Sequence, residues 1–198
     1  VSRATLVAVL LLLAIATSNF IDTQSGSSST DPATHTPDLY MINAAITQFS
    51  PIGQPQHDIT AIRMNHYPLT NVTTLTAPDL NLYNQTGNAP WQIEATEGRM
   101  LPKALLREQT VELWDDVLAL QARRDGEFIS IRTESLRVLP GSDYAETQDR
   151  VIIDDTGSRT VAAGMQAFLS TNRFVFDSDD MQRVHTILLP RDQQDRPG

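Results

Sequence analysis

From Leu39 onward the chain alternates apolar and polar residues in short runs. In the first run Tyr40, Ile42, Ala44 and Ile46 fall on one face, and Leu39, Met41, Ala45 and Phe49 on the other. Alternation with period two, closed by turn formers, predicts half-buried antiparallel strands. Pro51 and Pro55 end this run, and Ile59–His66, Thr73–Thr76, Leu80–Tyr83 and Trp91–Ala95 follow. Pro68, Pro78, Pro90 and Pro102 stand between the runs, about a strand and a turn apart. Gly87-Asn88 and Gly126 mark hairpin-type turns. The densest stretch, Trp91 to Val138, continues with Val111–Leu113, Val117–Leu120, Phe128–Ile131 and Leu136–Val138. Beyond Pro140-Gly141 the pattern weakens. Val151–Ile153, Phe174–Phe176 and Val184–Leu189 read as strands, and Thr160–Leu169 as strand or helix.

A helix competes for 103–124. Leu106, Thr110, Leu113, Val117 and Leu120 also lie at helical spacing, and Lys103 to Arg124 holds neither Gly nor Pro. Local propensity favours the helix. A recurrence decides for strands: His57-Asp58-Ile59-Thr60-Ala61 has the form of Trp91-Gln92-Ile93-Glu94-Ala95, with Phe128–Thr133 a looser copy. Repeated strand pairs suggest stacked β units sharing one core.

The N-terminal part differs in kind. Ala4–Ile21 is uncharged, with Leu6–Ala16 apolar throughout. At about 1.5 Å per residue such a helix nearly spans a hydrocarbon core of about 30 Å. Residues 1–21 are therefore expected to be a membrane anchor, with Arg3 on the cytoplasmic side. A cleaved signal peptide is the alternative, since Ala14-Ile15-Ala16 resembles a cleavage site. Residues 22–38, rich in Ser, Thr, Asp and Pro, read as a flexible tether. Residues 39–190 read as one β domain and 191–198 as a disordered tail.

The net charge is −9 over 198 residues, a poor match to nucleic acid. There is no Cys, so neither a disulfide framework nor a thiolate metal site is available. His35, His57, His66 and His185 have no helical zinc spacing, and His57 and His66 read as amphipathic rim residues of strands. The pairs Asp115-Asp116, Asp154-Asp155 and Asp179-Asp180 read as turn residues, because adjacent strand positions point to opposite faces. No nucleophile elbow, phosphate-binding loop or dinucleotide fingerprint appears. Neither catalysis, a cofactor nor a metal is expected.

Pro51-Ile52-Gly53, His57 to Ala61, Thr76-Ala77-Pro78, Trp91 to Ala95, and Val111-Glu112-Leu113-Trp114 followed by Val117 occur in an order and spacing that resembles the LptC family of lipopolysaccharide-export proteins. The resemblance covers Pro37 to Val138 and, more loosely, continues to Leu189. Asp115 stands where the family has Gly in a hairpin turn, which leaves the turn type open.

The resemblance implies an all-β fold, a twisted open β-jellyroll of stacked antiparallel strands behind one N-terminal transmembrane helix. It implies a non-catalytic carrier in the inner membrane with its bulk in the periplasm. Lipopolysaccharide would arrive from the LptB/LptF/LptG transporter and leave to LptA. The transporter would meet the first strand at Leu39 and Met41, and LptA the last strand at Val184, Thr186 and Leu188. Strand alternation together with the family's strand order selects Ala44, Ile59, Ala61, Leu75, Leu82, Ile93, Leu113, Val117, Ile131 and Val138 as lipid-groove residues. Acyl chains would be held there by apolar burial, and an acidic wall would leave phosphorylated headgroups to solvent. Gly157 and Gly164 are candidate bend points near the C-terminal edge. A non-catalytic envelope scaffold or adhesion domain with a closed β core remains the alternative, and an anchored hydrolase a third.

Overall fold

The structure, a computed structural model, describes residues 36–83, 89–123 and 126–189. The expected anchor, nearly all of the tether, the Gly87-Asn88 turn and the polar tail lie outside the described residues. Among those described there is no α-helix, and none long and apolar enough to cross a membrane.

Fourteen strands follow one another in chain order: β1 (Leu39–Phe49), β2 (Pro55–Tyr67), β3 (Val72–Thr76), β4 (Asp79–Leu82), β5 (Trp91–Glu94), β6 (Glu97–Leu101), β7 (Thr110–Ala122), β8 (Phe128–Leu139), β9 (Tyr144–Thr147), β10 (Val151–Asp155), β11 (Ser158–Ala162), β12 (Gly164–Phe168), β13 (Arg173–Asp177) and β14 (His185–Leu188). All join one antiparallel sheet. The helix competing for 103–124 does not form. β7 occupies its second half, and 103–109 is a loop closed by Ala104 and Arg107.

The sheet is folded on itself like a book. The four long strands β1, β2, β7 and β8 run through both leaves, while each short strand belongs to one. β2 pairs with β4 through its first half and with β3 through its second, and β7 pairs likewise with β6 and then β5. β8 pairs with β10 and then β9. In the first leaf one row of side chains runs Ile46, Ile59, Leu80, Ile93, Ala119, Ile131, Ile153, Thr160 and Thr186. In the second a row runs Leu39, His66, Thr73, Met100, Val111, Val138, Ala145, Ala167 and Phe174. Opposite residues on adjacent strands lie about 5 Å apart, so each row is a continuous ridge.

The spine of the book is visible as a break in alternation. Buried positions in β2 are 57, 59 and 61, then 64; in β8 the inward row is 129, 131 and 133, with Ser130 also buried, then 136 and 138. At the break Ile62-Arg63 of β2 and Asp115-Asp116 of β7 are both exposed, as are Ile42-Asn43 of β1. Asn43, Asp115 and Asp116 have φ of 49°, 62° and 60°, a left-handed backbone that Asn and Asp tolerate best among residues with a side chain. The hairpin turn expected at Asp115 is therefore not a turn. It is a bulge inside one continuous strand, placing two residues of β7 where β8 has one, between Trp114 and Val117. The same break corrects the faces expected for β1: Met41, Ala44 and Ile46 pack against the core, on both sides of Asn43.

The sequence repeat has a structural meaning. His57 is in register with Leu82, and Leu82 with Trp91; Ile59, Leu80 and Ile93 form the next row. The two better copies thus sit at one level of one leaf. The third is offset by one residue, because Phe128 is exposed and the buried Ile129 is the side chain that faces the core.

Candidate functional site

The inner faces of the two leaves pack together as one apolar interior, and its lips are the ends of the strands farthest from the spine. That the lips approach each other is shown by Trp91 of β5, whose ring meets Phe174 of β13 edge-on at 6.3 Å. Phe174 stacks in turn on Phe176 at 6.4 Å. Near the first strands, Gln48 of one leaf shares a cavity of about 270 Å³ with His66, Thr73 and Met100 of the other.

Nine of the ten proposed groove residues lie in one buried cluster. Ile59, Ala61, Leu75, Leu82, Ile93, Leu113, Val117, Ile131 and Val138 are each 5% exposed or less, and Ala44 is half-buried against them. Strand alternation identified the inward side chains, and the structure gathers them into a closely packed interior. Sequence reasoning missed the sulfur and aromatic part of this lining: Met64, Met165, Trp91, Phe174 and Phe176. Alternation in Phe174-Val175-Phe176 and the ring opening the Trp91 copy were the available signals.

The lip of the first leaf is less apolar than its floor. His57, Trp91 and Gln121 are 2%, 1% and 1% exposed, and His57 Nδ1, Trp91 Nε1 and Gln121 Oε1 have no hydrogen-bond partner among the described residues. Gln121 Nε2 donates to the Ala89 carbonyl at 3.0 Å, which fixes the amide. Buried polar atoms without partners are costly, which sets this level apart from the apolar floor. His57 is buried rather than a rim residue. Burial pushes its imidazole below the ordinary value, against a smaller upward pull from Asp58, and the ring stays neutral at pH 7. His66 is half-buried, its Nδ1 sharing a hydrogen bond with Thr73 Oγ1 at 3.2 Å.

Among the described residues three strand edges are open. β1, a strand of 11 residues bordering both leaves, pairs there only with β2. β13 pairs only with β12, and β14 only with β11. Of the edge residues read from sequence, Leu39 and Met41 lie in β1, and Thr186 and Leu188 in β14; Val184 precedes β14. The second C-terminal edge, β13, was not anticipated.

The acid pairs divide. Asp179 Oδ1 accepts the backbone N–H groups of Met181 and Gln182, as a turn residue does. Asp154 instead lies inside β10, where Arg132 Nη1 and Arg159 Nη2 donate to it at 3.0 Å each. The Arg159 guanidinium is the main reason its carboxyl lies below the usual carboxylate range, with Arg132 adding to the effect and partial burial opposing it. Among the described residues no group of His, Asp or Glu is placed to hold a metal ion.

An apolar interior between two leaves, bordered among the described residues by unpaired strands at both ends of the sheet, defines a class: open β-jellyrolls that can be extended edge to edge. The family model described as LptC, lipopolysaccharide-assembly, LptC-related, matches residues 4–179, and the chain belongs to this family. Among solved structures, LptH from Pseudomonas aeruginosa, described as the LptA homologous periplasmic component of the conserved lipopolysaccharide transport device, shares the fold. The TM-score is 0.50 at 8% identity, covering 80% of this chain and 99% of that one. No curated protein matches the sequence. The protein is thus a member of a lipopolysaccharide-transport family with an LptA-like fold.

Proposed function

We propose that the protein is a non-catalytic lipopolysaccharide carrier. Residues 1–21 anchor it in the inner membrane, and the β domain stands in the periplasm. The leaves part at their lips to admit acyl chains against Ile59, Leu75, Ile93, Leu113 and their neighbours. Each CH₂ moved from water into this interior contributes about 0.8 kcal/mol. Lipopolysaccharide arrives from the LptB/LptF/LptG transporter docked on the β1 edge and leaves to LptA docked on the β14 edge. The observation that carries the reading is an apolar interior lying between unpaired sheet edges; parting the leaves would open it as a slot. Backbone pairing across those edges would make the slot continuous with its neighbours.

The burial of nine of the ten groove residues favours a second reading, an envelope scaffold or adhesion domain with a closed core. Photocrosslinking in membranes containing the transporter separates the two. A probe at Leu75, which is fully buried, is compared with one at the neighbouring Thr74, with and without ATP. The carrier gives an ATP-dependent lipopolysaccharide adduct at Leu75 and none at Thr74. A folded domain with no adduct at Leu75, Ile93 or Val117 is the scaffold.

A further inference from the structure

The acidic character of the chain suggests that phosphorylated headgroups are left to solvent. One place on the lips is built differently. The cavity of about 270 Å³ between Gln48 and the 102–109 loop is lined by no acidic residue, in a chain of net charge −9. It contains Lys103, the only lysine in the sequence, which makes no ion pair among the described residues. The acid nearest in sequence, Glu108, accepts a hydrogen bond from the Ser142 hydroxyl.

The other polar walls are uncharged donors. Asn71 occupies the β2–β3 turn with φ of 53°, a backbone that few residues with side chains accept. Gln109 comes from the end of the loop and Gln48 from the opposite leaf. The His66 ring is held through Nδ1 by Thr73, which leaves Nε2 available. The floor is Met100, in register with Val111 in the ridge of the second leaf and packed against the buried core, so the cavity borders the apolar interior.

A lysine among polar side chains with no carboxylate, above an apolar floor, matches an anion carried on an amphiphile. We propose that this cavity is a phosphate subsite at the slot's N-terminal mouth. It takes the phosphorylated head of the lipid whose chains lie between the leaves. The proposal rests on the carrier reading and adds a headgroup contact to it.

The test uses the full chain in detergent and two probes: a diphosphorylated, acylated glucosamine disaccharide, and the same lipid with both phosphates removed. Equilibrium binding of each is measured for the natural protein and for Lys103→Gln and Lys103→Arg. The expected result is a preference for the phosphorylated lipid of about tenfold. Lys103→Gln removes that preference without weakening the dephosphorylated lipid, and Lys103→Arg keeps it. Lys103 lies on a loop, and unchanged circular dichroism melts establish that the variants fold. Equal binding of the two lipids, or a preference that survives Lys103→Gln, overturns the subsite while the carrier stands. Binding of neither lipid overturns both. Inorganic phosphate is the third probe: weak competition is expected, and competition as strong as the lipid's marks a free-anion site and overturns the headgroup assignment.

Discussion

The two ends of the folded sheet are finished differently. At the N-terminal end one strand of 11 residues, β1, crosses the spine and borders both leaves. At the C-terminal end each leaf has its own last strand, β13 with five residues and β14 with four. β13 sends Phe174 and Phe176 against the core, whereas every residue of β14 is exposed. A shared strand fixes the separation of the leaves, because neither can move without breaking its ladder. Separate strands leave each leaf free to pair or part by itself. In the proposed carrier, that contrast would give a rigid N-terminal end and an adaptable C-terminal one.

Deletion is the strongest way to break the comparison. Removing residues 1–50, and β1 with them, should abolish the cooperative thermal transition, since both leaves lose their border. Removing everything after residue 183 should lower Tm by only a few degrees, on the order of 1 kcal/mol. Equal losses in calorimetry would show that the two ends are equivalent. Single core substitutions sharpen the same contrast. Leu113→Ala beside the spine, 1% exposed, should cost about 2–5 kcal/mol in urea unfolding. Ile187→Ala in β14, 48% exposed, should stay within about 0.5 kcal/mol.

Glycines give a smaller effect of the same sign. A Cβ on Gly98 would stand 2.8 Å from Leu113 Cδ2 and 3.0 Å from the Glu112 carbonyl. Gly98→Ala should therefore cost about 1–3 kcal/mol through overpacking. Gly157 in the β10–β11 turn has only Asp155 Oδ1 within reach, at 3.9 Å, so Gly157→Ala should be nearly silent. A Gly98→Ala protein as stable as the parent would place slack where the leaves join.

The smallest effect is electrostatic and lies toward the C-terminal edge. Asp154 links β8, β10 and β11 through Arg132 and Arg159, and its carboxyl is held below the usual value in the folded chain. The unfolded chain therefore takes up the proton first as pH falls. The carboxylate's contribution is full above the ordinary carboxylate range and is lost as pH drops through the folded value. Asp154→Asn should be less stable than the parent at pH 7, with the gap closing below about pH 4 in urea titrations. A gap independent of pH would remove the ion pairs from the account.

Alternation made the strands legible wherever side chains were strongly apolar, as at Ile59, Ile93 and Ile131 in one ridge of the first leaf. It missed β6, Glu97–Leu101, and β9, Tyr144–Thr147, because their inward positions include Gly98, Ala145 and Thr147. These residues carry little hydrophobic signal and are buried because larger neighbours surround them. The recurrence of His57–Ala61 at Trp91–Ala95 correctly outweighed helix propensity over 110–122, since packing against β5, β6 and β8 decides that segment. The third open edge, β13, is legible as a strand but not as an edge, because pairing partners are remote in sequence.

By itself, then, the sequence determined strand class, the inward side chains of most runs and the family. Those follow from local period and residue order. Tertiary structure alone decided where the sheet folds and which short strand joins which leaf. It also turned Asp115-Asp116 into a bulge and brought Gln48 opposite His66 and Lys103. A bend at Asn43 or Asp115 can be recognised only once the two halves of the same strand are paired with different neighbours, and that pairing is set by contacts between distant residues.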